Sequence, residues 1–262
     1  MTEHDAPVLV TGAASGIGLA TAERLAACGR AVIGLDRRES PACETRLCDL
    51  SDPVSIDTAV ASLPDAVSGL ANVAGVPGTA PAETVLRVNF LGTRHLTRAL
   101  TPRLLPGSAV VNVASVVAAR GPTPRQTVAG LLATTGYEDG LNWCRSHTMS
   151  GADAYKFSKQ AVIEWTLVAS VALRERGVRV LSVSPGVTDT PILNDFRASM
   201  GEEAIDRAVT EAGRVGNPGD VGPVIAFLLS ADAGWVNAVD LRVDGGLVGA
   251  RLALPIHEGA VR

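Results

Sequence analysis

Apolar positions along the chain fall into runs of two lengths. The short runs lack the apolar–polar alternation of a strand with one wet face. They cover residues 7–11, 31–36, 45–49, 69–73, 109–114, 178–184 and 239–243, and are rich in Val, Leu and Ala. Runs of this kind predict strands buried on both faces. Longer stretches near 16–29, 53–62, 82–102, 152–177 and 218–230 predict helices between them. Seven strands alternating with helices imply a doubly wound parallel sheet, and right-handed crossovers place helices on both of its faces. No internal repeat or low-complexity linker divides the chain, so residues 1–262 are expected to form one domain. Two connections stand out. The path from Asp36 to Asp49 is only 13 residues, too short for a full helix with its loops. The path from Ser115 to Tyr155 is 40 residues, far beyond the usual connection, and predicts an inserted, partly helical segment at about 118–150.

Composition sharpens this picture. Hydrophobic residues make up 47% of the chain, yet only 4 Phe, 2 Tyr and 3 Trp are present. The core must therefore be aliphatic, as suits a parallel sheet under helices. A net charge of −4 without basic runs argues against a nucleic-acid partner. Cys28, Cys43, Cys48 and Cys144 form no C-x-x-C pair and have no histidine at metal-ligand spacing, which reads as reduced thiols in a cytoplasmic protein. His4, His95, His147 and His257 form no zinc constellation, so no metal is expected. The first residues lack the charged and apolar regions of a signal peptide. The uncharged stretch 104–119 is broken by Pro106 and Gly107, and no membrane partner is expected.

The candidate chemistry begins after the first strand, at Thr11-Gly12-Ala13-Ala14-Ser15-Gly16-Ile17-Gly18. Glycines at a strand-to-helix turn let the backbone approach a pyrophosphate, and the helix start offers it free N–H groups. Gly12, Ser15, Gly16, Ile17 and Gly18 are therefore the first cofactor-binding candidates. The second strand ends at Asp36, 18 residues after Gly18. A carboxylate there accepts hydrogen bonds from an adenine ribose and repels a 2′-phosphate, which favours NAD over NADP. Arg37 beside it pulls toward NADP.

Tyr155-Lys156-Phe157-Ser158-Lys159 opens the long helical stretch. Tyr155 and Lys159 are four residues apart and share one helix face. A nearby ammonium lowers the pKa of a phenol, which makes Tyr155 a candidate acid/base. Ser115 ends the fifth predicted strand, at the sheet edge where ligands bind in open α/β folds.

Taken in order, Thr11-Gly-x-x-x-Gly16-x-Gly18, Asn72-Val73-Ala74-Gly75, Asn89, Ser115, Tyr155-x-x-x-Lys159 and Pro185-Gly186 resemble the short-chain dehydrogenase/reductase family over roughly residues 7–246. The resemblance implies a Rossmann-type domain and assigns roles. Tyr155 would exchange the proton with the substrate oxygen. Lys159 would bind the nicotinamide ribose and lower the Tyr155 pKa. Ser115 would orient the oxygen, and Asn89 would hold a water of a proton relay. Asp49 and Leu50 would flank the adenine. Asn72, Ala74 and Gly75 would form the floor below the ribose. Pro185, Gly186, Val187 and Thr190 would receive the carboxamide. The short 36–49 and long 115–155 connections resemble the branch containing 3α-hydroxysteroid dehydrogenase/carbonyl reductase and bacterial coniferyl-alcohol dehydrogenase. The stretches 72–79 and 190–196 look closest to the latter.

The expected activity is NAD(P)-dependent interconversion of a hydrophobic alcohol and its aldehyde or ketone. A coniferyl-alcohol-like substrate is favoured over a steroid. Val116, Val117, Trp143, Met149, Ile192, Leu193 and Phe196 are candidate substrate lining. A non-catalytic dinucleotide sensor is the alternative from another class, although it has no need of an acid/base pair. The apolar run 252–256 suggests a homodimer or homotetramer contact.

Overall fold

The computed structural model describes residues 6–118 and 123–253. The start of the expected insertion, at 119–122, and most of the apolar tail run lie outside the described residues.

Seven parallel strands form one sheet: β1 (Val8–Thr11), β2 (Val32–Asp36), β3 (Glu44–Leu47), β4 (Val67–Asn72), β5 (Leu104–Val113), β6 (Arg179–Pro185) and β7 (Asp240–Val243). Their spatial order is β3-β2-β1-β4-β5-β6-β7. Parity along each strand divides the core. Leu9, Leu70, Val110 and Val180 pack on one face, with α2 (Pro53–Ala61), the α3–α4 rod (Ala82–Leu86 and Thr93–Leu100) and the long α7 (Gly151–Ala172). Val8, Val10, Val111 and Leu181 pack on the other, against α1 (Gly16–Ala27) and α10 (Pro218–Leu228). The edge strands differ from the expected double burial: β3 and β7 are partly exposed because each has a neighbour on one side only. The sheet order reverses between β1 and β4, so the connections leaving these strands run to opposite faces and open a crevice at their carboxyl edge.

The expected helix at 82–102 is interrupted. Arg87–Gly92 forms a π-helical turn between α3 and α4, a feature that recurs at functional sites. Residues 125–145 fold as α5 (Arg125–Leu132) and α6 (Tyr137–Arg145), the helical part of the insertion. A buried arginine anchors the turn between them. The buried guanidinium of Arg94 donates to Leu131 O, Thr134 O, Thr134 Oγ1 and Gly136 O, at 2.9–3.3 Å. Tyr137 Oη adds a bond to Ser51 O at 2.8 Å. Two further helices not expected from the sequence, α8 (Leu193–Met200) and α9 (Glu202–Ala212), follow β6 and cover the crevice. The short α11 (Leu247–Leu252) closes the described chain. No helix among the described residues is long and apolar enough to cross a membrane.

Candidate active site

The crevice at the carboxyl edge holds a cleft of about 210 Å³. Its near wall is the turn from β1 into α1. Gly12 and Gly16 have φ of +70° and +55°, a region that favours glycine. A Cβ on Gly18 would lie 2.1 Å from Gly12 O, so only glycine lets α1 pack down on the turn. Thr11 Oγ1 accepts from Val73 N and Ala74 N at 2.8 and 3.0 Å, binding the end of β1 to the end of β4. The first turn of α1 contains no acidic residue, and the Ser15 side chain makes no cap hydrogen bond. The positive end of that helix is thus left to an external anion.

Asp36 turns its carboxylate onto this loop. Oδ2 accepts from Ala14 N at 3.0 Å and Oδ1 from Arg38 N at 3.1 Å. Arg38, a residue the sequence reading passed over, reaches the same loop through Nη2 and Ser15 Oγ at 3.5 Å. Asp49 accepts from Ser51 N and Oγ at 2.8 and 2.7 Å. Burial works to raise the Asp49 pKa, but these bonds and the Arg37 charge bring it below the usual carboxylate range. Leu50 is buried beside it.

The reacting groups converge from three elements. Ser115 follows β5, and Tyr155 and Lys159 stand on α7, whose start is capped by Ser150 Oγ accepting from Asp153 N at 3.1 Å. Tyr155 and Ser115 line the cleft together. Burial raises the Tyr155 phenol pKa to about 12, while the Ser115 side chain works to lower it. Lys159 Nζ lies 5.8 Å from the Tyr155 ring centroid and donates to Val113 O at 2.8 Å. Burial draws its pKa down to about 8. Asn89 sits in the π-helical turn. Its Oδ1 accepts from Val76 N at 2.8 Å, while Nδ2 donates to Val76 O at 3.0 Å and Ser158 Oγ at 3.3 Å. A Cβ on Gly75 would come within 3.2 Å of Asn89 Oδ1 and 3.5 Å of Lys159 Nζ, so the glycine leaves space there for a ligand.

Pro185, Gly186, Val187 and Thr190 form the far wall. Thr190 faces the glycine loop: a Cβ on Gly16 would lie 3.3 Å from Thr190 Cγ2. Gly12, Ser15, Gly16, Ile17, Gly18, Ala74, Gly75, Ser115, Tyr155 and Lys159 line the same cleft. Asn72 lies elsewhere. Its Nδ2 donates to Thr97 Oγ1 at 3.0 Å and Asn112 Oδ1 at 2.8 Å, and Asn112 in turn bonds Thr166. The side chain thus joins the sheet to α4 and α7 beneath the cleft.

Of the residues considered for the substrate end, Val116, Val117, Ile192, Leu193 and Phe196 line the cleft. Trp143 instead stacks on Phe157 and His147, at centroid distances of 5.6 and 3.7 Å. Met149 packs against the core cluster. Met200 and Ile205 complete the lining from α8 and α9. Sequence reasoning missed both, because a lone Met and a lone Ile on polar helices carry no signal of a cleft.

A dinucleotide fits these observations. The uncapped start of α1 suits its pyrophosphate, and the Asp36 carboxylate stands at the end of β2. Lys159 has no carboxylate within ion-pair distance among the described residues, which leaves its ammonium for ligand hydroxyls.

Comparison with known proteins agrees. Residues 6–128 match the family model described as short chain dehydrogenase. Residues 143–248 match the model described as Enoyl-(Acyl carrier protein) reductase. The chain is 38% identical over 246 residues to coniferyl-alcohol dehydrogenase of a Pseudomonas species, covering 92% of this chain and 95% of that one. It is 31% identical over 250 residues to 3-alpha-hydroxysteroid dehydrogenase/carbonyl reductase of Comamonas testosteroni, again covering 92% and 95%. Its fold is similar to that of a Pseudomonas 3-alpha-hydroxysteroid dehydrogenase crystallised with NADH, with a TM-score of 0.84, 33% identity, and coverage of 96% and 100%. This chain belongs to the short-chain dehydrogenase/reductase family and is an oxidoreductase of alcohols that uses a nicotinamide dinucleotide.

Proposed function

We propose that the protein oxidises a hydrophobic aromatic alcohol of the coniferyl type to its aldehyde, reversibly, with NAD rather than NADP. One observation carries the reading. Among the described residues at the substrate end of the cleft, Ser115 and Tyr155 carry the polar side chains, beside the apolar Val116, Val117, Leu193 and Phe196. Such a cleft offers nothing to the extra hydroxyls of a sugar and much to an apolar ring.

When bound, the nicotinamide group supplies the hydride acceptor and, in its oxidised form, a positive charge. The chain supplies the rest. Ser115 Oγ and Tyr155 Oη hold the alcohol oxygen, and Tyr155 as phenolate removes its proton. The Lys159 ammonium favours that phenolate and binds ribose hydroxyls. Asn89 fixes the 72–76 wall through Val76 and has acceptor capacity left on Oδ1 for a water that returns the proton to solvent. Asp36 favours NAD by charge, against the nearby pull of Arg38.

A steroid alcohol is the second reading, supported by the similarity to the structure crystallised with NADH. Exposed Phe227, Trp235 and Leu241 support assembly as a homodimer or homotetramer. The test is a set of kcat/KM values for coniferyl, cinnamyl, steroid and alicyclic alcohols, each with NAD and NADP. The aromatic alcohols with NAD are expected to lead. A steroid in the lead would move the assignment to the second reading, and cofactor binding without turnover of any alcohol would favour a sensor.

A further inference from the structure

The cover of the cleft carries one aromatic ring, and it rests on the proton-transfer residue. Phe196 and Tyr155 have ring centroids 5.0 Å apart and an interplanar angle of 58°. Phe196 is held there from both sides. Its neighbour Asp195 accepts from Thr79 Oγ1 at 3.1 Å, which ties α8 to the loop after β4. Its other neighbour, Arg197, donates to Asp206 Oδ1 of α9 at 2.6 Å. Every residue that α8, α9 and the preceding loop contribute to the lining between 191 and 205 is apolar. Discrimination on this side therefore works through shape and ring contact, with no hydrogen bond available to it.

We infer that Phe196 is the specificity-determining residue of the site: its ring, set beside Tyr155, selects flat aryl-allylic alcohols over alcohols whose ring is saturated. The inference rests on the dehydrogenase reading above. An alcohol with its oxygen at Tyr155 Oη and a conjugated side chain keeps its ring in the plane of the reacting carbon. That plane brings the ring alongside Phe196, in the offset or edge contact that aromatic pairs prefer. A puckered ring keeps the apolar area but loses the ring–ring contact, and its axial hydrogens press on a side chain whose flanking residues are tied to Thr79 and Asp206.

The test uses the full chain with NAD and a matched pair of alcohols, 3-phenylprop-2-en-1-ol and 3-cyclohexylprop-2-en-1-ol. Both react at the same allylic carbon. Wild type should favour the phenyl alcohol in kcat/KM by roughly three- to tenfold, the span of one aromatic contact. Phe196→Leu keeps an apolar side chain and should bring the ratio to within about twofold of one, by losing rate on the phenyl alcohol alone. Phe196→Tyr should keep the wild-type ratio. A wild-type ratio near one overturns the inference. So does a Phe196→Leu ratio equal to wild type, including the case where both alcohols slow alike. Failure of wild type to oxidise either alcohol while binding NAD overturns the proposed function, and this inference with it.

Discussion

Lys159 is 4% exposed, bonds the Val113 carbonyl and has its pKa drawn down to about 8 by burial. The ordinary value of 10.5 applies to the unfolded chain, which therefore binds more protons than the folded chain between pH 8 and 10.5. Stability attributable to this group rises with pH across that window, and below pH 8 the buried ammonium costs the fold its full penalty. The difference corresponds to about 3 kcal/mol. In Lys159→Met the penalty is gone at every pH, although the Val113 carbonyl loses its partner at a cost of about 1–3 kcal/mol. The unfolding free energy of wild type should therefore gain on that of the variant by about 3 kcal/mol from pH 7 to pH 11. Denaturant titrations of both proteins across this range measure it, and a constant difference would contradict the account. The same burial raises the Tyr155 phenol to about 12, so the phenolate depends on the cations beside it. Most residues of this site were legible in the sequence, since the glycine loop, Ser115, Tyr155 and Lys159 announce their chemistry by type and order. Asn72 shows the limit. Its place in Asn72-Val-Ala-Gly75 suggests a ligand contact, but its Nδ2 donates to Thr97 and Asn112, which are remote in sequence.

The strands and long helices were readable because sheet burial writes continuous apolar runs into the chain. The helices over the cleft were not. None of the α8 residues is buried, and α9 buries only Ile205 and Ala208. Their sequences intersperse charged residues with apolar ones and contain no long apolar run, the signal that marked the helices packed on the sheet. The π-helical turn is likewise invisible in sequence, because it is a matter of backbone bonding around Asn89. The insertion was visible as excess length, but its fastening depends on Arg94. That guanidinium has four acceptors, all between residues 131 and 136, and its pKa is lowered to about 10 by burial. Arg94→Met would leave the buried Thr134 carbonyl without its donor and take one donor each from the Leu131 and Gly136 carbonyls. We expect a loss of about 2–4 kcal/mol in unfolding free energy. Hydrogen exchange should then accelerate in α5 and α6 well ahead of the sheet. Uniform acceleration through the sheet would show that the insertion is not separately fastened.

At the scale of the molecule, seven parallel strands in the order β3-β2-β1-β4-β5-β6-β7 place the reversal point between β1 and β4. The sequence pattern predicted the layers and the sheet, while the order of strands was implied only through the family resemblance. That order brings residues 12, 75, 115, 155 and 186 to one edge. Apolar side chains at Val168, Val171, Phe227 and Trp235 remain 47–101% exposed. Light scattering on the purified protein should therefore report two or four copies, and a monomer mass at micromolar concentration would remove the assembly from the account. The central claim is that Tyr155 transfers the proton in NAD-linked oxidation of an apolar alcohol. It is tested most directly by comparing wild type and Tyr155→Phe for coniferyl alcohol turnover, followed by the absorbance of the reduced nicotinamide, with NAD affinity measured by calorimetry on both. We predict turnover by wild type, a loss of about a thousandfold or more in the variant, and NAD affinities within about threefold of each other. Undiminished turnover in Tyr155→Phe would contradict the account.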